Sequence, residues 1–204
     1  MSLTLFPTRI YTHKWRGPAW HRFNARLLHE CRQFREDDSG GQRWSAKNYL
    51  GGYTSYHSLC QMQTLSPTFA QLESKLRRHI AAFARILEWD LGGRQLAMTD
   101  CWINIMPQGA HHSGHLHPLS VISGTYYVRA PRGGSGLKFE DPRLERFMAA
   151  PPRRSNCSQE GRVWHTEPAT AGKFLLFESW LRHEVAANPF DAERVSISFN
   201  YDWR

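Results

Sequence analysis

The chain has 204 residues, of which 41% are hydrophobic and 22% charged, a composition typical of an ordinary globular protein. This length fits a single domain, because chains tend to divide into several domains only beyond about 250–300 residues. No apolar stretch approaches the roughly 20 residues that a membrane span needs, and the beginning of the chain lacks the basic region and cleavage site of a signal peptide. We therefore expect a cytoplasmic protein with no membrane partner.

The charge pattern makes a nucleic-acid partner possible but not favoured, and the cysteines argue against a zinc or disulfide framework. The net charge of +8 favours anionic partners, but the basic residues are scattered in ones and twos. This pattern favours a solvated basic surface with one anion-binding arginine over a nucleic-acid groove. The four cysteines form no Cys-x-x-Cys pair, so neither a zinc ribbon nor a disulfide framework is predicted.

The first half of the chain is predicted to be helical. From Trp20 to Phe34 the apolar residues recur every three or four positions, and the Asp and Gly residues at 37–41 end this helix. A second helix begins at Ser66-Pro67, where serine is the N-cap and proline occupies the first turn. Its apolar stripe continues to about Leu91, where the following glycine pair stops it. Both stripes are typical of helices that pack against a sheet.

From Arg94 onward the pattern changes to short β segments separated by Gly, Pro and Asp clusters. The predicted strands are 96–106, 122–128, 136–139, 162–165, 174–177, 183–185 and 194–200. Short strands at this density predict a sandwich or barrel with the helices packed on one outer face. The fold class is therefore α+β with a mainly β core: one domain over 1–204, in which a helical region, 1–93, supports a β region, 94–204.

Two irregular segments are candidates for contacts with a ligand. Residues 49–58 are turn-rich and aromatic, and they form either a substrate-facing loop or an ordered connection. Residues 141–161 form the longest irregular stretch, and long loops of this kind in compact domains are often lids or binding loops.

The most informative stretch is 109–128, where four of the eleven histidines fall within seven residues. Imidazole is the commonest protein ligand for iron and similar metals. Because strand side chains alternate in direction, His115 and His117 point to the same side and can converge on one ion. We expect His111 and His112 to lie at the rim of such a site or in solvent.

A third histidine and an arginine follow further along the chain. His183 stands at the start of a predicted strand, and Arg194 and Ser196 share the polar face of the strand 194–200. If that face is interior, the arginine needs an anionic partner, because an unpaired buried charge is very costly. A ligand carboxylate held bidentately, with a serine hydroxyl beside it, meets this need. The alternative partners are acidic residues of the chain itself: Asp191, Glu193 or Asp202.

These elements, in this order, resemble the iron(II)/2-oxoglutarate-dependent oxygenases, especially the bacterial and phage-associated branch with a His-x-His-Pro…Ser-Gly-x-Tyr-Tyr motif. The resemblance covers residues 100–202 and implies a double-stranded β-helix, a jelly-roll fold similar to that of the cupins. It rests on Trp102-Ile-Asn104, Gly109, His115-Leu-His117-Pro118, Ser123-Gly-Thr-Tyr-Tyr127-Val, 136–142, 172–177, His183 and Arg194-Val-Ser196.

The resemblance implies a metal site for Fe(II) with His115 and His183 as the two histidine ligands. His117 stands where most of the family has a carboxylate. Three neutral imidazoles can still form a facial triad with open positions, and we expect His117 to be the third ligand. In the alternative, His117 points away and water or a carboxylate such as Glu178 completes the shell.

The resemblance also implies a site for 2-oxoglutarate. Arg194, with Ser196, would bind the distal carboxylate, and the hydroxyl of Tyr127 would bind the same group. Asn104 is a further candidate for the wall of this site.

The implied reaction is hydroxylation of a prime substrate, either a small molecule or a protein side chain, with decarboxylation of 2-oxoglutarate to succinate. Two alternatives stay open at this point. A three-histidine cupin-type dioxygenase would not use 2-oxoglutarate, and it has no general need for Arg194 and Ser196 as a carboxylate clamp. A non-catalytic β-barrel binding module would need neither the metal nor His183.

Overall fold

The computed structural model describes residues 2–204, without the side chains of 146 and 147, and its centre is a pair of antiparallel sheets. Ten strands occur in this part of the chain: β1 Ile10–Lys14, β2 Tyr53–Thr54, β3 Leu96–Met106, β4 His112–His115, β5 Ile122–Arg129, β6 Leu137–Glu140, β7 Trp164–Glu167, β8 Lys173–Glu178, β9 His183–Val185 and β10 Arg194–Trp203. The larger sheet has the order β1-β8-β5-β10-β3-β2, and the smaller sheet has the order β4-β9-β6-β7. This architecture confirms the predicted mainly β core of the double-stranded β-helix type.

Four α-helices precede β3: α1 Pro18–Asp37, α2 Ser39–Asn48, α3 Met62–Leu65 and α4 Pro67–Ile86. The apolar stripes of α1 and α4 are buried against the larger sheet, as predicted for helices on one face. The predicted N-cap of α4 is also confirmed, because the Ser66 hydroxyl accepts hydrogen bonds from the backbone N–H groups of Thr68 and Phe69. Of the helices in the described residues, none is long and apolar enough to cross a membrane.

Strand alternation divides the apolar residues into two cores. On β5, Tyr126 faces the helices, whereas Tyr127 faces the smaller sheet. On β8, Leu176 belongs to the core under the helices, and Leu175 and Phe177 belong to the core between the sheets. The space between the two sheets is therefore partly lined by apolar residues of β5 and β8. The polar faces of β10 and β3 and the histidines face the same space.

Several predicted boundaries in the helical half are wrong. The helix α4 ends at Ile86 instead of Leu91, because Glu88 adopts a left-handed conformation (φ 57°) before the glycine pair is reached. The residues predicted to end α1 contain the start of a second helix, α2. The carboxylate of Asp38 caps this helix by accepting a hydrogen bond from Gly41 N at 2.8 Å. This is the side-chain pattern of an N-cap, which lets one acidic residue separate two consecutive helices.

Pairing between distant segments of the chain produces strands that the sequence pattern does not predict. The strand β1 pairs with β8 at the edge of the larger sheet, and β4 pairs with β9 at the edge of the smaller one. The strand β10 continues to Trp203, past an irregularity in its pairing after Asn200. Such short or irregular segments become strands because a partner edge is available, which a local pattern cannot reveal.

Gly124, in the middle of β5, is required by close packing. A Cβ at this position would overlap the ring of Phe199 and approach the carbonyl oxygen of Leu175 to 2.7 Å. Both neighbours are fully buried, so neither can move away without disturbing the core. The Ser-Gly step of the sequence motif thus has a structural cause.

We expect Gly124→Ala to lower the free energy of unfolding by about 1–3 kcal/mol, the usual cost of overpacking a core. Gly40→Ala, in the first turn of α2, is the matched control, because a Cβ there meets only Asp38 and Ser58, at the ordinary distances of 3.5 and 3.7 Å. Alanine in a helix should be neutral or stabilise by up to about 1 kcal/mol relative to glycine. Urea unfolding followed by circular dichroism measures both changes, and an unaltered midpoint for Gly124→Ala would contradict this assignment.

Candidate metal centre and ligand cavity

A cavity of about 610 Å³ is lined by residues of both sheets and contains most of the predicted site residues. Its volume lies in the range typical of small-molecule sites, roughly 300–1,000 Å³. Every second residue of β10 lines it, as the alternation of a strand requires: Arg194, Ser196, Ser198, Asn200 and Asp202. The predicted polar face of 194–200 is therefore an interior face.

Three of the predicted residues, His115, His117 and His183, converge in this cavity. One ligand nitrogen from each lies within 4.8 Å of the other two. His115 and His183 are direct cross-strand partners on β4 and β9, and their ring centroids are 4.4 Å apart. His117 follows β4 and is fixed by a backbone hydrogen bond from its N–H to the carbonyl of Ser179 at 3.0 Å. These three side chains form the one cluster of potential metal ligands found among the described residues.

The hydrogen bonds of His115 and His183 select the tautomer that a metal needs. His115 Nδ1 lies 2.7 Å from the carbonyl oxygen of Ser113, and His183 Nδ1 lies 2.9 Å from that of Leu181. Because a carbonyl can only accept, both nitrogens carry their proton. The lone pair is then on Nε2, the pattern seen in metal-bound histidines whose other nitrogen is oriented by a second partner.

Burial keeps two of these histidines uncharged. Removal from solvent, together with the nearby His115, lowers the pKa of His117 to about 4 and that of His183 to about 3. At neutral pH both imidazoles are therefore unprotonated, which a metal ligand must be.

His117 is held by a polar network that the sequence analysis missed. The Asn200 Oδ1 lies 2.8 Å from His117 Nδ1 and accepts a second hydrogen bond from Ser123 Oγ at 2.9 Å. The Asn200 Nδ2 donates to Asp100 Oδ2 at 3.3 Å, and Ser123 Oγ also lies 2.8 Å from Ser179 Oγ. The signal for Asn200 was present in the sequence, since it shares the polar face of 194–200 with Arg194.

Arg194 is buried, with 2% of its surface exposed, and its partners are neutral. Its Nη1 donates to Ser196 Oγ at 3.0 Å and approaches Met106 Sδ at 3.1 Å, and its Nε donates to the carbonyl of Ser135 at 3.0 Å. The ring of Tyr127 lies beside the guanidinium, 5.0 Å from centroid to Cζ. Hydrogen bonds and the aromatic face support the cation, but neither neutralises its charge.

Of the three acidic residues that could have paired with Arg194, Glu193 and Asp202 form ion pairs with other arginines, and Asp191 is exposed. Glu193 lies 3.1 Å from Arg32 and 2.8 Å from Arg35, and Asp202 lies 3.7 Å from Arg204. Within residues 2–204, no carboxylate forms an ion pair with Arg194. Such a buried cation is stable only with a counter-charge, so the geometry fits an anionic ligand.

Other polar atoms beside Arg194 also lack partners. The hydroxyls of Tyr49 and Tyr127 and the Oδ1 of Asn104 are buried without a hydrogen-bond partner in the described structure. Tyr49 and Asn104 line the cavity, whereas Tyr127 does not, although its ring lies beside the guanidinium. Burial raises the pKa of both tyrosines, so their hydroxyls remain protonated and can donate to a carboxylate. The tyrosine hydroxyls thus suit a carboxylate-bearing ligand, whereas the Asn104 Oδ1 can only accept a hydrogen bond.

The prediction that His112 lies at the rim of the site or in solvent is wrong. It is partly buried and lines the cavity, and its ring stacks on that of Tyr49 at 4.4 Å. Burial, aided by the charge of Arg194, lowers its pKa to about 3. His111 is exposed, in agreement with the prediction.

The two irregular segments differ in their relation to the cavity. Residues 49–58 contribute Tyr49, Thr54 and Tyr56 to its lining, with β2 in their middle. Among the described residues of 141–161, none lines it. The expectation of a ligand contact therefore fits the first segment and not the second.

Residues 100–200 match the model of a family described as "Putative 2OG-Fe(II) oxygenase". A search of curated proteins finds no match. The matched range contains all seven residues predicted for the metal and the co-substrate.

Solved structures share the fold at low sequence identity. A prolyl-4-hydroxylase from Pseudomonas putida is 17% identical, with a TM-score of 0.63 over 97% of this chain and 94% of that chain. HygX from Streptomyces hygroscopicus, solved with nickel, 2-oxoglutarate and hygromycin B bound, is 15% identical, with a TM-score of 0.60 over 96% of this chain and 83% of that chain. The epimerase SnoN from nogalamycin biosynthesis is 15% identical, with a TM-score of 0.62 over 96% and 78%.

We expect Asn200→Ala to weaken the binding of Co(II), used as an air-stable probe, by about 10–100-fold, because His117 loses the acceptor that orients its ring. Ser198→Ala is the matched control on the same face of β10, since Ser198 is hydrogen-bonded to Asn104 and to none of the three histidines. Calorimetric titration gives both affinities. Equal affinities for the two variants would show that Asn200 does not orient a ligand.

Proposed function

This chain belongs to the 2-oxoglutarate- and Fe(II)-dependent oxygenases, and we propose that His115, His117 and His183 hold its Fe(II) while Arg194 binds its co-substrate. The observation that carries the proposal is one cavity in which a buried, unneutralised guanidinium lies near three converging histidines. The reaction we propose is hydroxylation of a small molecule or a protein side chain, coupled to decarboxylation of 2-oxoglutarate to succinate.

The three histidines would serve as neutral donors that leave room for other ligands. Fe(II), when bound, supplies the centre at which 2-oxoglutarate and dioxygen react. A three-residue facial set leaves positions open for both, which is the arrangement that non-haem iron oxygenases use. The hydrogen bonds on each Nδ1 would hold the rings in place before the metal arrives.

His117 is the unusual member of this set, and two observations support it as a ligand. Its Nδ1 is anchored by Asn200 and Ser123, each at 2.8 Å, so the ring faces His115 and His183 and is not turned away. Glu178, considered above as a substitute, is not among the described residues that line the cavity. We therefore propose three imidazoles in place of two imidazoles and a carboxylate.

The distal carboxylate of 2-oxoglutarate would lie against Arg194 and Ser196. Tyr49, whose hydroxyl is buried and unpartnered on the cavity wall, is the better placed of the two tyrosines to donate to it. Tyr127 would instead support the guanidinium from behind, and Asn104 would form part of the wall. Because Arg194 and Ser196 are buried, charge-assisted hydrogen bonds of this kind are strong.

The alternatives are less well supported. A three-histidine dioxygenase that does not use 2-oxoglutarate leaves the buried charge of Arg194 unexplained, and a simple binding module leaves the histidine cluster unexplained. We further propose that the chain acts as one oxygenase domain, with 1–93 supporting 94–204. Its four free cysteines support a reducing compartment such as the cytoplasm.

With Fe(II) and dioxygen, we expect the protein to form succinate from 2-oxoglutarate, slowly even without a prime substrate. Arg194→Ala should raise the KM for 2-oxoglutarate about 30-fold or more, since truncating one member of a buried charge pair costs roughly 2–5 kcal/mol. Arg182→Ala is the control, because this arginine is 57% exposed and pairs with Glu140 outside the cavity. Succinate is quantified by mass spectrometry.

Two results would count against the proposal. If the Fe(II)-loaded protein formed no succinate, the proposed activity itself would be wrong. An unchanged KM in Arg194→Ala, with activity retained, would favour the dioxygenase that needs no carboxylate clamp.

A further inference from the structure

The cavity continues past the histidines, on the side away from Arg194. The ring of His117 lies 5.6 Å from that of Trp102, and the residue that holds His117, Asn200, is bonded to Asp100. From Arg194 to Asp202 the cavity face of β10 spans eight residue-to-residue steps, which is about 26 Å of strand at roughly 3.3 Å per step. We call the far part, beyond His117, the outer end. It is defined by Tyr56, Asp100, Trp102, Asp202 and Arg204, which all line the cavity.

The outer end carries an excess of negative charge. It contains two carboxylates, Asp100 and Asp202, and one cation, Arg204. Asp100 Oδ2 accepts hydrogen bonds from Thr99 Oγ1 at 2.9 Å and from Asn200 at 3.3 Å, and no cation of the described chain pairs with it. The protein as a whole has a net charge of +8, so the negative charge at this end of the cavity is opposite in sign to the overall charge and indicates a local role in binding.

The only ion pair of the outer end, within the described residues, is loose. Arg204 Nε lies 3.7 Å from Asp202 Oδ2, and the arginine side chain is 66% exposed. An exposed pair of this length contributes little, so a competing cation can replace Arg204 at low cost.

Aromatic rings stand beside these carboxylates. Trp102 is 7% exposed, and the ring of Tyr56 meets it edge-on at 5.0 Å while remaining 51% exposed to the cavity mouth and solvent. Asp100 is close enough to Tyr56 that its charge, after burial, raises the pKa of this tyrosine. Aromatic faces combined with fixed carboxylates are a recognition site for organic cations.

We propose that the prime substrate carries a cationic group, an ammonium or a guanidinium, bound at the outer end by Asp100 and Asp202 against Trp102 and Tyr56. This inference rests on the proposed function, because it assigns the outer end to the substrate of the same site. The cation neutralises the unpaired charge of Asp100, and the carbon skeleton attached to it extends towards the histidines. Anionic substrates, including nucleic-acid phosphates, are repelled at this end.

The test uses matched probes on the full chain loaded with Zn(II), which does not support turnover, and with 2-oxoglutarate. The cationic probes are the N-acetyl methylamides of lysine and arginine. The neutral probe is the corresponding Nε-acetyl-lysine derivative, and the anionic probe is that of glutamate. Ligand-observed NMR titration should give affinities for the two cations about tenfold or more above those of the other two probes.

Two variants connect this preference to the outer end. Asp202→Asn and Tyr56→Ala should each reduce the affinity for the cationic probes about three- to tenfold, because one loses a counter-charge and the other an aromatic wall. Asp191→Asn is the control for Asp202→Asn, since Asp191 is exposed and does not line the cavity. Asp100 is unsuitable for this purpose because it also supports Asn200.

Equal affinity for all four probes, no binding by any of them, or a preference for the neutral or anionic probe would overturn the inference. So would cation binding that Asp202→Asn and Tyr56→Ala leave unchanged. Succinate formation by the Fe(II)-loaded protein without probes reports the proposed function separately. If succinate forms and the cation preference is absent, only the substrate assignment fails.

Discussion

Arg194 carries a buried positive charge that no carboxylate of the described chain neutralises, and much of the cavity is arranged around that charge. The guanidinium is held by Ser196, by the carbonyl of Ser135 and by the ring of Tyr127, none of which supplies a negative charge. An arginine buried in this way destabilises the protein unless an anion completes the site. A dicarboxylate co-substrate would meet that need, and in the proposed arrangement its other end would lie towards the histidines.

The second constraint is the neutrality of the three imidazoles that we propose as metal ligands. A set of three imidazoles brings no negative charge to Fe(II), whereas a carboxylate ligand would. In this protein the link to a carboxylate is indirect, because His117 is bonded to Asn200 and Asn200 to Asp100. The same carboxylate faces the outer end of the cavity, so one residue connects the orientation of a proposed metal ligand with the charge presented at the proposed substrate site.

The sequence predicts much of the β core and of the site, and the reasons are local. Period-two alternation places Arg194 and Ser196 on one face of a strand, and His-x-His spacing brings His115 and His117 to one side. The parts that it does not predict depend on distant contacts. The contribution of Tyr49 and His112 to the cavity arises when the end of α2 packs beside β4, and β1 becomes a strand only because β8 offers an edge. Asn200 is an intermediate case, since its face was predictable but its partner was not.

The most direct test of the account is a crystal structure of the protein with Fe(II) and 2-oxoglutarate, prepared without dioxygen. We expect one nitrogen each of His115, His117 and His183 at about 2.0–2.2 Å from the metal, the usual length of a metal–imidazole bond. The distal carboxylate of 2-oxoglutarate should lie on Arg194. A metal bound by only two histidines, with His117 turned away and water or Glu178 in its place, would contradict the three-histidine assignment.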